Sequence, residues 1–276
     1  MLTAIENMAD ERWLLFSAAL SLCVGSFINV LIYRLPKMLD GDAEAGNNPV
    51  RLASFNLFFP ASRCPHCSEN IKPYDNIPLV SWVVLRGRCR YCRQNISLRY
   101  PLIEMAVLLA GVATAAFIGM GIDWLFMVAL FSLLLALTAI DMERQLLPDC
   151  LTLSLLWVGL LWHGIAHPQF LPAAVMGAIA GYLSLWLLYW GFRLLTGREG
   201  LGYGDFKLLA ALGAWTGYET LPHILLIGSS CSLAWLALQR VMGGRSWSQP
   251  LPFGPGLALA GAAMAAYLWM IPPLVG

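Results

Sequence analysis

The sequence predicts an all-α, polytopic membrane protein with about eight transmembrane helices and one polar, cysteine-bearing insert between the first two. Three observations predict it. Of 276 residues, 59% are hydrophobic and 12% charged, whereas a soluble domain carries about 25% charged residues. Mean hydropathy is +0.67, more apolar surface than a soluble core of this length needs. Charge and cysteine concentrate between residues 37 and 100, which hold four of the seven cysteines. The net charge of +1 gives no electrostatic reason for a nucleic-acid partner. The bilayer is the partner that composition implies.

A spanning helix needs about 20 mostly apolar residues. Eight runs qualify as candidates: 13–33, 101–120, 123–141, 150–167, 171–195, 205–218, 221–241 and 252–273. The first follows an acidic stretch and ends at Arg34 rather than at a small-residue cleavage site, so it reads as a retained helix. The sixth is short and glycine-rich. Backbone groups in lipid must be satisfied within the segment, which makes these runs helices rather than open strands. With the N-terminus outside, sixteen of the seventeen Lys and Arg residues fall on the inner side, and Arg12 alone falls outside. That asymmetry sets the insert in the cytoplasm and both termini outside. The outer turns, 119–123, 163–169 and 217–222, carry no Lys or Arg.

Within the insert, Cys64-Pro-His-Cys67 and Cys89-Arg-Tyr-Cys92 form two C-x-x-C pairs 21 residues apart. Each pair fits a tight turn that aims two sulfurs at one ion, and two such turns make a closed tetrahedral site suited to structural Zn²⁺. Two disulfides are the alternative, but cytosolic thiols stay reduced. A hydrophilic insert of this size benefits from such a staple. With four cysteines filling the site, His66 is left facing solvent or outside the ligand set. Cys23, Cys150 and Cys231 read as small buried hydrophobes. The polar Asp40–Asn48 stretch reads as a variable loop.

An ionisable residue in a spanning segment is a functional candidate. Asp141 closes the third run and Asp205 opens the sixth after Gly202-Tyr203-Gly204, so both lie at the cytoplasmic mouth of the bundle. Two adjacent carboxylates titrate as a unit and hold one proton between them. That arrangement lets one activate water while the other polarises a scissile carbonyl. The glycines before Asp205 admit a close-running substrate strand. Asp205 also suits a helix cap neutralised by Lys207. Asp149 follows Pro148 at a helix start, where an acid is favoured by the helix dipole. Glu143 reads as a solvated loop residue beside Arg144. Glu104 lies one turn into the second span and reads equally as a functional acid or as the partner of an insert arginine.

Other hydrolytic chemistries lack their residues. No H-E-x-x-H occurs, which sets aside an intramembrane metalloprotease. The three lysines, Lys37, Lys72 and Lys207, do not sit in a span near a serine. His163, His167 and His223 fall at outer turns. A non-enzymatic zinc-bearing scaffold or transporter, with the aspartates lining an ion path, is the competing class, although no acid lies at mid-membrane.

Several stretches then carry a resemblance. Gly25-Ser-Phe-Ile-Asn-Val-Leu-Ile-Tyr-Arg-Leu-Pro36, the segment from Phe55-Asn-Leu to Arg99-Tyr-Pro-Leu-Ile-Glu104, Ala139-Ile-Asp141 to Leu147-Pro-Asp149, Gly200-Leu-Gly-Tyr-Gly-Asp205-Phe-Lys207 and Pro252-Phe-Gly-Pro-Gly256 run in order along nearly the whole chain. Together they resemble the type 4 prepilin peptidases, aspartic proteases of the G-x-G-D type. The resemblance implies a bacterial inner-membrane enzyme of the type 4 pilus or type II secretion machinery. Its substrates would be prepilins or pseudopilins with a short basic leader, cut at the cytoplasmic face. A second activity would methylate the new N-terminus from S-adenosylmethionine. Asp141 and Asp205 match the family's catalytic aspartates, and the cysteine insert goes with its bifunctional members. Asn29, Arg34 and Glu104 are candidates for further roles, and a peptidase without methyl transfer is the narrower alternative. The expected divisions are 1–36, first helix and N-terminal motif; 37–100, metal-binding insert; and 101–276, a seven-helix peptidase domain.

Overall fold

The structure, a computed structural model, describes residues 2–44, 56–198, 200–242 and 252–270. It is helical, with no strand among the described residues beyond two isolated bridges. The chain forms two compact units, Met1–Met120 and Gly121–Gly276.

In the first unit, α1 runs Leu2–Glu44 and packs along α3, Arg99–Ile118. Between them lie a 3-10 turn at Pro73–Asp75 and a five-residue helix α2, Val80–Val84. Helix α1 extends past the expected apolar run at both ends and passes through Pro36. Residues 40–44, expected as loop, are helical; polar residues extend a helix that is already nucleated at little cost. The remainder of that expected loop, 45–48, lies outside the described residues.

The second unit holds α4 (Ile122–Arg144), α5 (Asp149–Ala166), α6 (Leu171–Thr196), α7 (Tyr203–Thr216), α8 (Leu221–Val241) and α9 (Gly254–Met270). Among the described residues, six helical segments are long and apolar enough to cross a membrane: Arg12–Asp40, Arg99–Ile118, Ile122–Arg144, Asp149–Ala166, Pro168–Thr196 and Tyr218–Val241. The chain is therefore a multi-pass membrane protein. The other two expected spans are helices as well over their described residues. The 17 described residues of α9 end at Met270. At 14 residues, α7 reaches only about 21 Å, less than the roughly 30 Å of hydrocarbon. The reason is its place in the packing. From Asp205 to Trp215 every residue but Lys207 is buried, against α5, α6 and α9. A helix enclosed by other helices need not match the bilayer.

The α6–α7 contact is backbone on backbone. A methyl group on Gly177 would meet the Gly213 carbonyl, one on Gly213 would meet the Gly177 carbonyl, and one on Gly181 would fall 2.6 Å from the Leu209 oxygen. Gly177 and Gly181 make the small-x-x-x-small spacing that lets membrane helices approach closely. At the end of α4 remote from Asp141, Asp123 Oδ1 accepts Trp162 Nε1–H at 2.8 Å and lies 2.9 Å from His167 Nε2. Trp162 stacks on Trp215, whose Nε1–H donates to Leu155 O at 2.8 Å. These bonds fasten α4, α5 and α7 where the outer turns were expected, and they account for His167.

Candidate active site and metal centre

The insert is built as a repeat. Residues 62–71, Ser-Arg-Cys-Pro-His-Cys-Ser-Glu-Asn-Ile, recur 25 positions later as Gly-Arg-Cys-Arg-Tyr-Cys-Arg-Gln-Asn-Ile, 87–96. Each copy forms the same turn. Cys64 N–H bonds Glu69 O at 2.9 Å and Ser68 N–H bonds Cys64 O at 2.9 Å; Cys89 N–H bonds Gln94 O at 2.9 Å and Arg93 N–H bonds Cys89 O at 3.0 Å. Antiparallel bridges close the two turns at Arg63–Asn70 and Arg88–Asn95. Ser68 and Arg93 take equivalent left-handed conformations, φ 60° and 59°.

The four sulfurs lie within 4.8 Å of one another. Cys64 and Cys92 Sγ are 3.8 Å apart, and Cys67 and Cys89 Sγ 4.0 Å. No disulfide joins them. A tetrahedral ion with metal–sulfur bonds of about 2.3 Å sets its sulfurs about 3.8 Å apart, so the cluster fits a thiolate-bound metal. Burial acts to raise the Cys64 thiol, but the backbone at Cys67 and His66 and hydrogen bonds with Cys67 and Cys89 outweigh it and hold the thiol at about 6. At Cys92 the Gln94 backbone acts to lower the thiol; burial and hydrogen bonds with the other three cysteines override it, pushing it up to about 11. Four thiols in this space share protons, and a bound divalent cation would hold all four as thiolates. His66 is exposed, outside the cluster, as expected.

Two buried residues of the first unit, Arg34 and Glu104, tie the insert to its helices, and a third, Asn29, ties α1 to the start of α3. Arg34 donates to Asn56 O at 2.8 Å and to Pro60 O at 2.6 Å. Asn29 Nδ2 donates to Tyr100 O at 3.1 Å. Glu104 Oε2 accepts Leu79 N–H at 2.8 Å, in place of the expected insert arginine. This bond holds Leu79 at φ 59°, a conformation that persists only where surroundings over-determine it. Arg90 grips Asp75 through Nε at 2.7 Å and Nη2 at 2.5 Å, fastening the second turn to Pro73–Asp75. That hydrogen-bonded guanidinium keeps Asp75 below its ordinary pKa. Its contribution to stability is therefore full at neutral pH and fades as pH falls through the carboxylate range.

In the second unit, Asp141 and Asp205 are both buried, at 6% and 8% exposure. The fold places them by different means. Asp205 is the third residue of α7, and its Oδ2 would lie 3.5 Å from a Cβ on Gly202. The carboxylate thus turns back toward the helix start, as acids at this position do. Asp141 lies in the last turn of α4, whose end is closed by Gln145 in the left-handed region with its N–H on Asp141 O at 2.9 Å. The helix dipole disfavours an anion there. The Gly254 backbone N–H faces the Asp141 carboxylate, and a Cβ on Gly254 would fall 2.7 Å from Oδ2. Asp141 Oδ2 has no hydrogen-bond partner among the described residues.

Three side chains near the pair depart from expectation or were missed. Lys207 does not pair with Asp205; its Nζ takes both oxygens of Asp149 at 2.6 Å. Asp149 is accordingly an ion-pair partner as well as the first residue of α5. Glu143 is exposed as expected, but in the last turn of α4 rather than in a loop. Leu147 lies against the glycines on both sides: its Cβ is 2.7 Å from a Cβ placed on Gly204, and its Cδ2 3.2 Å from one on Gly254. The glycine before Asp205 and the glycine of Pro252-Phe-Gly-Pro-Gly256 leave room for the same side chain.

Fold and site define a polytopic helical membrane protein with a four-thiol centre in one unit and a buried carboxylate pair in the other. Residues 19–118 match the model for the bacterial peptidase A24 N-terminal domain, and residues 128–237 that for the type IV leader peptidase family. The chain is 49% identical to a prepilin leader peptidase/N-methyltransferase of Aeromonas hydrophila, over 98% of this chain and 96% of the relative. It is 48% identical to one of Dickeya chrysanthemi, over 95% of each, and 45% identical to one of Stutzerimonas stutzeri, over 97% and 95%. No solved structure matches it. The chain belongs to the type IV leader peptidase family.

Proposed function

We propose that this protein is a bifunctional inner-membrane enzyme. It cleaves the leader from type 4 prepilins or pseudopilins at the cytoplasmic face and then methylates the exposed N-terminal residue from S-adenosylmethionine. The reading is supported by two buried carboxylates from different helices, Asp141 beside Gly254 and Asp205 after Gly204, with Leu147 lying against both glycines. One carboxylate, ionised, takes a proton from water as the water attacks the scissile carbonyl; the other, protonated, donates to the carbonyl oxygen. Collapse of the tetrahedral adduct breaks the C–N bond, with the proton delivered to the leaving amine. Asp141 Oδ2, without a hydrogen-bond partner among the described residues, is open to either role. The charge asymmetry of the chain supports the cytoplasmic orientation.

Cys64, Cys67, Cys89 and Cys92 would hold Zn²⁺. A closed four-sulfur site offers no open position, so the ion's part is to fix the fold of the insert. The methyltransferase half rests on family membership and on the names of the relatives. S-adenosylmethionine enters as a second substrate, passing its methyl group from the sulfonium to the new amine.

The test is mass measurement of the product after purified protein meets a candidate prepilin, with and without S-adenosylmethionine. The expected product lacks the leader in both reactions and gains one CH₂ only with the methyl donor. A cleaved product that never gains it would reduce the protein to a peptidase, and an uncleaved one would remove the enzyme reading.

A further inference from the structure

Helix α2 in the insert is inside out for a water-soluble element. Its inward residue is polar: Ser81 is buried, accepts Ile77 N–H at 3.0 Å and donates to Tyr74 O at 3.0 Å. Its outward residues are apolar. Val80, Val83 and Val84 occupy one helical face and are 53%, 66% and 68% exposed. Trp82 is turned the other way, onto Gly87, where an added Cβ would fall 2.9 Å from its ring. A face of three valines on a small metal-stapled insert costs stability in water.

The depth of this face is set by hydrogen bonding. Leu79, which precedes Val80, is held by Glu104. Glu104 is itself inside a membrane-crossing helix, five residues beyond Arg99 where α3 begins. At 1.5 Å per residue, that is about 7.5 Å from the helix end. Glu104 is also fixed laterally, because its Cα would lie 3.0 Å from a Cβ on Gly25 of α1. The start of α2 is thereby held about 7.5 Å along a membrane-crossing helix, a distance comparable with the roughly 5–10 Å to which interfacial elements bury their apolar faces. Charge is complementary as well. Between 56 and 98 there are six basic and two acidic residues, and exposed Arg86 and Arg88 follow α2 directly. Arginines behind an apolar face let it enter lipid while their heads remain with the phosphates.

We propose that the Val80–Val83–Val84 face, backed by Arg86 and Arg88, docks on an anionic lipid leaflet and seats the metal-binding insert in the headgroup–acyl boundary. The inference goes beyond the proposed enzyme activity and does not depend on it.

The test places a solvatochromic amino acid at position 83, by stop-codon suppression, in the full-length protein. The protein is reconstituted in nanodiscs of phosphatidylcholine with and without phosphatidylglycerol. The expected emission is blue-shifted, quenched by a lipid carrying a nitroxide near the top of its acyl chain, and several-fold less quenched by iodide than the free amino acid. Arg86→Gln with Arg88→Gln is expected to weaken the shielding in the phosphatidylglycerol discs. Metal content of each variant confirms that the insert is folded. Iodide quenching equal to that of the free amino acid would overturn the proposal. So would shielding that appears only on adding a prepilin, because the face would then belong to a protein partner.

Discussion

Asp141 occupies a place that folding alone does not favour. An acid in the last turn of α4 faces the negative end of the helix dipole, and its Oδ2 is buried without a hydrogen-bond partner among the described residues. Asp205 and Asp149 both start helices, where an acid is favoured. They differ in surroundings. Asp205 is buried, whereas Asp149 is largely exposed and takes the Lys207 ammonium. An ion pair as open to solvent as this one contributes at most about 1 kcal/mol. Asp149→Ala is therefore expected to lower thermal stability slightly and to leave leader cleavage readily measurable. Abolished cleavage in that variant, with the fold intact, would make Asp149 a third acid in the reaction and break the two-carboxylate account. Which acid Lys207 serves was not legible from sequence, because Asp149 and Asp205 are equally plausible partners until α5 and α7 are seen side by side.

At the scale of elements, the insert is two copies of one turn sharing a four-sulfur centre. The C-x-x-C spacing made the centre legible; the repeat around it, down to the Asn-Ile that ends each copy, was legible too in the 25-residue offset. Metal affinity in such domains is folding free energy, on the order of 10–16 kcal/mol for small zinc sites at neutral pH. The parent is expected to carry about one zinc ion per chain, and Cys64→Ser to lose it and to open the 56–98 segment to limited proteolysis. Elemental analysis beside a digestion time course checks both. Retention of a full metal complement in Cys64→Ser would exclude the four-sulfur site. The extent of α1 and the length of α7 were less legible. Polar residues 40–44 read as loop because hydropathy does not register helix continuation. Helix α7 read as a span because its residues are apolar; they are apolar through enclosure by other helices rather than by lipid.

At the scale of the molecule, composition and the alternation of apolar runs were enough for the multi-pass helical class, since lipid leaves the backbone few alternatives. Among the described residues, all eight expected runs are helical and six are long enough to cross. The parts of the site that escaped sequence reading are contacts between distant segments: Leu147 against Gly204 and Gly254, and Glu104 on Leu79. Each lies in a stretch that carries the family resemblance, yet its partner is fixed only by packing. The central claim is that two aspartates from separate helices form one peptidase centre. The most direct measurement is leader removal from a purified prepilin by the parent protein and by Asp141→Asn and Asp205→Asn, each shown to be folded by its melting profile and metal content. The account predicts robust cleavage by the parent and loss of cleavage in either variant alone. Parent-like cleavage by either variant would contradict it.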